Sequence, residues 1–313
     1  METTAIVLEQ PRHIALRDVA LTHPQAGQAV VDVNWSGIST GTEKMLWDGT
    51  MPTFPGMGYP LVPGYESVGR VVEAAEDCAL EEGTLVFVPG ARCYDDVRPL
   101  FGATAATLVV DAGKVYPVTD ALGQDAVLLA LAATAHHALV LGGGPLPDLI
   151  VGHGVLGRLL ARIAIALGGD APTLWEINPA RLDGARGYAL TNADDDDRRD
   201  YARIIDASGD VGILDLAVSR LRRRGEIVLA GFYARPLSFT FPPAFMREAQ
   251  IAIAAEFQPA DVRAVLELVA AGRLDLSGLI SHTAPARSAD TAYRTAFDDP
   301  GCTKMILDWE QDA

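Results

Sequence analysis

Cysteine is scarce in this chain. The three cysteines, Cys78, Cys93 and Cys302, lie far apart and form no CxxC pair. This spacing excludes both a disulfide framework and a structural zinc cluster built from closely spaced thiolates. We therefore expect reduced thiols in a reducing compartment.

Positive charge is also in short supply. The chain has 25 Lys and Arg against 41 Asp and Glu, which gives a formal net charge of −16 at pH 7. A nucleic-acid partner needs a clustered basic surface, and the basic run here is only Arg222-Arg223-Arg224. We expect this run to end a helix, where cations oppose the negative end of the dipole. The acidic run at 194–197 is expected to be a solvated loop.

Long hydrophobic runs are missing as well. Charge, glycine or histidine interrupts each apolar stretch before the roughly 20 residues that a membrane span requires. Residues 1–9 lack the basic start and small-residue cleavage site of a secretory signal and predict a first strand instead. We expect a cytoplasmic protein that does not span a membrane. A length of 313 residues favours two domains.

Short β-rich runs separated by turn residues fill the first 120 or so residues, which predicts a small, mostly antiparallel β-domain. Proline and glycine crowd the segment 52–64, which is therefore expected to be a loop. The predicted strands are Thr4 to Leu8, Gln28 to Trp35, Ser67 to Ala74, Thr84 to Val88 and Thr107 to Val110.

The pattern changes at Gly123 to an apolar helix, followed by alternating strands and helices that predict βαβ units and a parallel sheet. The last segment starts near Ser281 and combines a helix-like stretch with a β-like end. The predicted elements are helices 124–140, 155–167, 211–223 and 288–297, and strands 149–151, 173–177, 202–206, 226–230, 251–255 and 304–309.

A glycine-rich turn follows the buried strand at 149–151. It reads Gly152-His153-Gly154-Val155-Leu156-Gly157, matches G-x-G-x-x-G and leads directly into an apolar helix. This is the context of a dinucleotide-binding turn, in which the glycines allow a tight turn, close approach to a pyrophosphate and helix–strand packing. The helix N-terminus would face the phosphates. His153 is expected closer to the phosphates than to the reaction centre.

An acidic residue at the end of the next strand supports the same interpretation. Glu176 lies about 20 residues beyond the last glycine, where a carboxylate hydrogen-bonds the adenosine ribose hydroxyls. It would repel the extra phosphate of NADP, and Ile177, Asn178 and Pro179 follow it rather than an immediate Arg or Lys. The sequence therefore favours NAD. The alternative is a glycine turn in a sheet that binds no nucleotide.

Three local patterns resemble the medium-chain dehydrogenase/reductase superfamily. Residues 62–69 (VPGYESVG) resemble its P-G-H-E-x-x-G segment, residues 37–43 (GISTGTE) its G-x-C-G-T-D segment, and residues 134–139 (TAHHAL) its T-A-x-x-A-L helix. The resemblance covers essentially the whole chain. It implies an α/β fold with a GroES-like β-rich catalytic domain at 1–122, completed by 282–313, and a Rossmann doubly wound parallel sheet at 123–281.

The departures from that superfamily concern its two zinc sites. Ser39 or Thr40 stands at the cysteine ligand's place and Tyr65 at the histidine ligand's, and hydroxyls are poor zinc ligands. Of the four cysteines of the structural-zinc lobe, only Cys93 remains. We therefore expect a zinc-independent enzyme without either metal site.

Side chains must then take the proton of the alcohol. The resemblance places Tyr65 and Glu66 at the substrate, opposite Ser39, Thr40 and Thr42, and we predict a Tyr65-centred site with Thr42 or Ser39 relaying the proton. Glu66 is alternatively structural, and Tyr65 alternatively a buried tyrosine satisfied by backbone. A second group of candidates lies on the helix that runs beneath the nicotinamide in the superfamily: Thr134 for the cofactor, and His136 or His137 for the substrate, unless both histidines only pack.

Within the superfamily, the motifs resemble the enzymes of bacteriochlorophyll biosynthesis that act on a hydroxyethyl bacteriochlorophyllide. This implies NAD-dependent oxidation of the secondary alcohol on the tetrapyrrole to an acetyl group. The alternatives are a zinc-independent quinone or enone reductase and a non-enzymatic NAD-binding pigment carrier. Pairing through Gln250 to Phe257 predicts a homodimer.

An open apolar cleft would suit a flat pigment. Five apolar side chains of the Pro/Gly-rich region are candidates to line it, and a satellite core or a dimer contact is the equal alternative. Arg92 or Arg98 is a candidate partner for the pigment's propionate. The five apolar candidates are Trp47, Met51, Phe54, Met57 and Tyr59.

Overall fold

The computed structural model describes residues 1–233 and 235–312. The chain divides into two compact units, one formed by Met1–Ala130 with Ile280–Ala313 and the other by Leu131–Leu279. The first unit is β-rich and the second alternates strands with helices. The predicted α/β class, with a GroES-like β-rich part and a Rossmann sheet, is confirmed.

The first unit is built from two sheets. One has the order β2-β1-β4-β7, and the other has the order β16-β17-β3-β5-β6-β9 with β8 also paired to β3. Helix α1 spans Thr42–Asp48 and helix α7 spans Ala289–Asp298. The strands are β1 Glu2–Gln10, β2 His13–Ala20, β3 Gln28–Ile38, β4 Leu61–Val62, β5 Ser67–Ala74, β6 Leu85–Val88, β7 Arg98–Pro99, β8 Thr107–Asp111, β9 Tyr116–Pro117, β16 His282–Pro285 and β17 Met305–Asp308.

Strand β3 organises this unit because it pairs with three others. It runs antiparallel to β5, β8 and β17, and most of its side chains are buried. Its pairing with β17 brings the end of the chain beside Ile38, since Met305 lies opposite that residue. The carboxyl end of β3 therefore meets the start of β5 and the start of β17 at one place.

The second unit is a parallel sheet of six strands in the order β12-β11-β10-β13-β14-β15. This is the doubly wound order, in which ligands bind where the chain reverses direction at the carboxyl ends of the central strands. Helix α2 spans Leu129–Val140, most of it in this unit. The other elements are β10 Leu149–Val151, α3 Val155–Ala166, β11 Thr173–Trp175, β12 Ala189–Thr191, β13 Tyr201–Asp206, α4 Ile213–Arg220, β14 Leu221–Leu229, α5 Phe241–Arg247, β15 Gln250–Ile253 and α6 Pro259–Ala270.

The arginine run does not end a helix, so that prediction was wrong. Helix α4 stops at Arg220, and Arg222, Arg223 and Arg224 belong to β14. The strand starts early because Leu221 pairs with Tyr201 of β13. Arg223 and Arg224 both form ion pairs with Glu248, so the run is held by a carboxylate rather than by a helix dipole.

The acidic run at 194–197 is not simply a solvated loop, because one of its members is buried. Asp196 is 9% exposed, and its carboxylate accepts hydrogen bonds of 2.6 Å from both the indole of Trp175 and the hydroxyl of Tyr201. Burial of a carboxylate is tolerated when donors of this kind surround it. Asp196 therefore links β11 and β13, the two strands that flank β10 in the sheet.

The apolar segment predicted as a helix from 124 to 140 is a 3₁₀ stretch, Asp120–Leu128, that continues into helix α2. Within the described residues, Asp120–Gly143 is the one helical stretch long and apolar enough to cross a membrane, judged by length and composition alone. In its most apolar window, 61% of the residues are buried inside the protein. Its composition is therefore that of a core helix.

Candidate active site and nucleotide-binding turn

Three predicted site residues of the first unit come together at the carboxyl end of β3. Ser39 follows β3, Thr42 begins α1, and Tyr65 precedes β5. Because β3 and β5 are antiparallel neighbours with Ser36 opposite Ser67, the two segments meet. The Tyr65 hydroxyl donates a 2.6 Å hydrogen bond to Ser39 Oγ, and Thr42 is its second hydrogen-bond partner. The cluster is a chain of three hydroxyl groups.

The phenol of Tyr65 is neutral at physiological pH. Burial raises its pKa well above the usual value of 10, and the nearby Glu66 carboxylate raises it further. Tyr65 is therefore a hydrogen-bond donor at this pH and not a tyrosinate. The ring of Phe101 packs edge-on against the Tyr65 ring, with 5.3 Å between ring centroids.

Glu66 is committed to an ion pair with Lys304 from the start of β17. The Lys304 ammonium contacts Glu66 Oε2 and donates a 3.1 Å hydrogen bond to the carbonyl of Ile38, and both side chains are almost fully buried. Gly37 makes room for this pair, since a Cβ at that position would lie 2.2 Å from Glu66 Oε2. Glu66 thus fixes the strand junction beneath the hydroxyl chain.

A second buried carboxylate, Glu43, was not among the predicted site residues. Its Oε1 accepts a 3.2 Å hydrogen bond from the backbone N–H of Ser39, and its Oε2 accepts a 2.7 Å hydrogen bond from the hydroxyl of Tyr293. Burial raises the pKa of Glu43 to about 7, and the neighbouring Glu66 charge acts in the same direction. The motif GISTGTE contains Glu43, but the motif alone does not show that Lys304 pairs with Glu66 and not with Glu43.

In the second unit, the glycine turn has the geometry that its motif predicts. Gly152 has a φ of +98°, which favours glycine, and a Cβ on Gly157 would lie 1.8 Å from the carbonyl oxygen of Gly152. Gly154 is the N-cap of α3, whose first residues are Val155 and Leu156. The free N–H groups at the start of this 12-residue helix fit a pyrophosphate.

Glu176 sits directly beside this turn. Its Oε2 accepts the backbone N–H of His153 at 2.9 Å, and its Oε1 accepts the N–H groups of Ile177 and Asn178 at 2.8 Å each. The side chain is 9% exposed. The carboxylate therefore pins the glycine turn to the end of β11.

Both ring nitrogens of His153 have hydrogen-bond partners within the protein. Nδ1 lies 2.6 Å from the carbonyl oxygen of Arg181, and Nε2 lies 2.8 Å from the hydroxyl of Tyr188. Burial lowers the pKa of this histidine, so its neutral form is favoured. The side chain braces the turn from inside; the prediction that residue 153 contacts the cofactor stays a prediction.

His136 and His137 share one carboxylate within the second unit. The Nδ1 atoms of the two rings lie 2.7 and 3.1 Å from the two oxygens of Asp261, which also accepts the backbone N–H of Gln258 at the start of α6. This arrangement ties α2 to α6. Thr134 lies half-buried on the same helix as the histidines, and its role toward a cofactor stays a prediction.

No cluster of three or more His, Cys, Asp or Glu side chains suited to a metal ion occurs within residues 1–233 and 235–312. At the positions of the superfamily's ligands, Ser39 is buried, Thr40 is exposed, and Tyr65 bonds to Ser39. Cys93 is buried in the core of the first unit. The donor set is thus hydroxylic, a poor match to zinc.

The apolar side chains proposed for a pigment cleft take different positions. Trp47 is buried in the core between Tyr293 and Phe297, and Met51, Met57 and Tyr59 pack partly buried against that core. Phe54 is 40% exposed. The region is therefore largely a satellite of the core, with Phe54 left at its surface.

Comparison with known proteins agrees with both units. The alcohol dehydrogenase GroES-like domain family matches residues 25–120. The chain is 54% identical to the 2-desacetyl-2-hydroxyethyl bacteriochlorophyllide A dehydrogenase of Rhodobacter capsulatus, with 99% of each chain covered. It is 53% identical to the protein of the same name from Cereibacter sphaeroides, with 100% of each covered. An alcohol dehydrogenase from Escherichia coli complexed with NADH has the same fold, with a TM-score of 0.82, 21% identity, and 98% and 99% of the two chains covered.

Proposed function

Because the chain belongs to the family of 2-desacetyl-2-hydroxyethyl bacteriochlorophyllide a dehydrogenases, within the medium-chain dehydrogenase/reductase superfamily, we propose that it oxidises the hydroxyethyl group of a bacteriochlorophyllide to an acetyl group. We further propose that NAD is the oxidant, that no zinc takes part, and that the reaction occurs in the cytoplasm. In this assignment residues 1–122 and 282–313 are the catalytic domain and 123–281 the nucleotide-binding domain.

The observation that carries this proposal is the hydroxyl chain of Tyr65, Ser39 and Thr42. Oxidation of a secondary alcohol removes a hydride from carbon and a proton from oxygen, and a bound nicotinamide supplies the hydride acceptor. The substrate hydroxyl donates its proton to the oxygen of Tyr65 while Tyr65 passes its own proton to the hydroxyl of Thr42, and Ser39 Oγ, 2.6 Å from the phenol oxygen, holds Tyr65 in place. Tyr65 stays neutral throughout, as its raised pKa requires. Half-buried Thr42 leads the proton toward solvent.

The preference for NAD over NADP rests on Glu176. Its carboxylate lies at the end of β11 beside the glycine turn, and Oε2, which accepts only the His153 N–H, still has a lone pair for a ribose hydroxyl. A phosphate on that ribose would meet a carboxylate of 9% exposure, where charge repulsion is weakly screened. Gly152, Gly154 and Gly157 would hold the pyrophosphate, and Thr134 the nicotinamide end.

The assay that tests this function uses the purified chain, shown by metal analysis to be free of zinc, with NAD and the hydroxyethyl bacteriochlorophyllide. We expect stoichiometric NADH and acetyl pigment. Tyr65→Phe, which removes the relaying hydroxyl, should lower kcat about 10²- to 10⁴-fold. Glu176→Ala should instead weaken NAD binding. Turnover of quinones or enones with NADH, or tight pigment binding without turnover, would contradict the proposal.

We also propose that the protein is a homodimer formed through β15. This strand ends the sheet of the second unit, and its Ile251 and Ile253 are 37% and 74% exposed. Beside it, Phe245 and Met246 of α5 are 63% and 71% exposed and line an apolar groove of about 560 Å³. An unpaired strand edge next to exposed apolar side chains is typical of an interface.

The dimer is tested by Ile253→Asp, because a buried carboxylate on each copy would oppose pairing across the edge. We expect light scattering to show a dimer for the unmodified chain and a monomer for the variant at micromolar concentration. Ile177→Asp is the matched control, since Ile177 is 88% exposed elsewhere in the same unit. A monomeric unmodified chain, or a variant that remains dimeric, would rule out this interface.

A further inference from the structure

Two aromatic rings of the first unit are exposed, and one of them contacts Tyr65. Phe101 contacts the ring of Tyr65 edge-on and is 37% exposed. Phe54 is 40% exposed, and its carbonyl accepts the backbone N–H of Met57 in the Pro/Gly-rich loop. A flat macrocycle whose hydroxyethyl group reaches Tyr65 would therefore meet an aromatic face at Phe101.

Arg98 is fixed at the same edge by backbone contacts. Strand β7 begins at Arg98 and pairs with β4, so that Arg98 lies opposite Leu61. Leu61 comes four residues before Tyr65 in the chain, and Arg98 comes three residues before Phe101. The guanidinium Nη1 donates a 3.1 Å hydrogen bond to the carbonyl oxygen of Tyr59. A Cβ on Gly58 would lie 3.3 to 3.5 Å from the guanidinium atoms. The loop and β7 together hold this cation in place.

Arg98 is exposed, and among the described residues no carboxylate lies within 4.0 Å of its guanidinium group. This distinguishes it from most basic side chains of the first unit, which lie within ion-pair distance of a carboxylate. Arg92, in the same lobe, is also exposed, and within residues 1–233 and 235–312 no side-chain hydrogen bond or ion pair fixes it. The paired ones are Arg12, Arg17, Lys44, Arg70, Lys114, Arg294 and Lys304.

We propose that Arg98 is the specificity residue that binds the propionate carboxylate of the bacteriochlorophyllide, while Phe101 supports the face of the ring. This inference rests on the proposed function. A bacteriochlorophyllide is an apolar ring that bears a free carboxylate, and most basic side chains of the first unit are already paired with carboxylates of the protein. Guanidinium groups hold carboxylates through two parallel hydrogen bonds, and the Tyr59 contact leaves most of the Arg98 donors free.

The test pairs a change in the protein with a matching change in the pigment. Arg98→Gln keeps a donor for the Tyr59 carbonyl and removes the charge, and the methyl ester of the pigment removes the carboxylate. Binding is measured by quenching of tryptophan fluorescence, and KM and kcat are measured with NAD. Arg92→Gln is the matched control, because it removes an exposed charge from the same lobe without a fixed side chain.

For the free acid, we expect Arg98→Gln to raise Kd and KM about tenfold with little change in kcat, as for a lost charged hydrogen bond. For the methyl ester, the unmodified protein should already show the weaker binding, and Arg98→Gln should add nothing. Equal losses for acid and ester, no loss for either, or an equal loss with Arg92→Gln would overturn the proposal. If the pigment binds with this pattern but is not oxidised, the proposed function fails while the Arg98 assignment stands.

Discussion

Replacing Lys304 by methionine is expected to lower the free energy of unfolding by about 3 to 5 kcal/mol. The side chains of Lys304 and Glu66 are 1% and 0% exposed, so the substitution leaves a carboxylate buried without its cation. Within the described residues, Glu66 Oε1 has no hydrogen-bond partner, so no other donor compensates. Glu43, a second buried acid, adds like-charge repulsion.

Chemical denaturation followed by tryptophan fluorescence measures this loss, with Trp47 and Trp309 as probes in the core of the first unit. The double variant Glu66→Gln/Lys304→Met removes both charges and should recover most of the lost stability. Arg70→Met breaks an exposed ion pair with Asp120 and should cost no more than about 1 kcal/mol. A Lys304→Met variant as stable as the Arg70 control would show that the buried pair is not needed.

The second large effect is a pH dependence of stability that originates at Glu43. Its pKa rises from 4.5 to about 7 in the folded chain, chiefly because the side chain is buried. Between these pH values the unfolded chain has released the proton and the folded chain still holds it. Stability therefore falls as pH rises through this window, by about 3 kcal/mol in total for a shift of this size. Lys304 and the donors Ser39 and Tyr293 moderate the shift without cancelling it.

Glu43→Gln resembles the protonated acid, so we expect it to remove this part of the pH dependence. Unfolding curves at pH 5 and pH 8 should differ less for the variant than for the unmodified chain, and the variant should be the more stable at pH 8. Glu73→Gln, on the exposed face of β5, is the control and should leave the profile unchanged. A steep profile retained in Glu43→Gln would assign the effect to another group.

Local sequence patterns predicted the parts of the fold that depend on local chemistry. Within the turn at 152–157, Gly152 is required by its φ of +98° and Gly157 by its close contact with the carbonyl oxygen of Gly152, so the motif and the geometry coincide at these two positions. Strand β5 was predicted at its observed bounds, Ser67–Ala74, from a short β-rich run between turn residues. The resemblance to the medium-chain superfamily, and with it the dehydrogenase class, is confirmed by relatives at 53 and 54% identity.

Errors arose where long-range partners decide the outcome. Arg222 to Arg224 followed a helical pattern, but the pairing of Leu221 with Tyr201 begins a strand instead. Asp196 lies in an acidic run, yet Trp175 and Tyr201 supply the donors that bury it. The choice of Lys304 to pair with Glu66 rather than Glu43 joins positions more than 200 residues apart, which no local pattern shows.

In this chain, a change of coenzyme preference at Glu176 would also change the stability of the glycine turn. The carboxylate that we propose disfavours a ribose phosphate also accepts three backbone N–H groups, from His153, Ile177 and Asn178. A substitution of Glu176 that allows NADP to bind would therefore also release the glycine turn. Each buried N–H that is left without an acceptor lowers the free energy of unfolding by about 1 to 3 kcal/mol. A switch of coenzyme would need a replacement acceptor for the His153 N–H, not only a new basic residue.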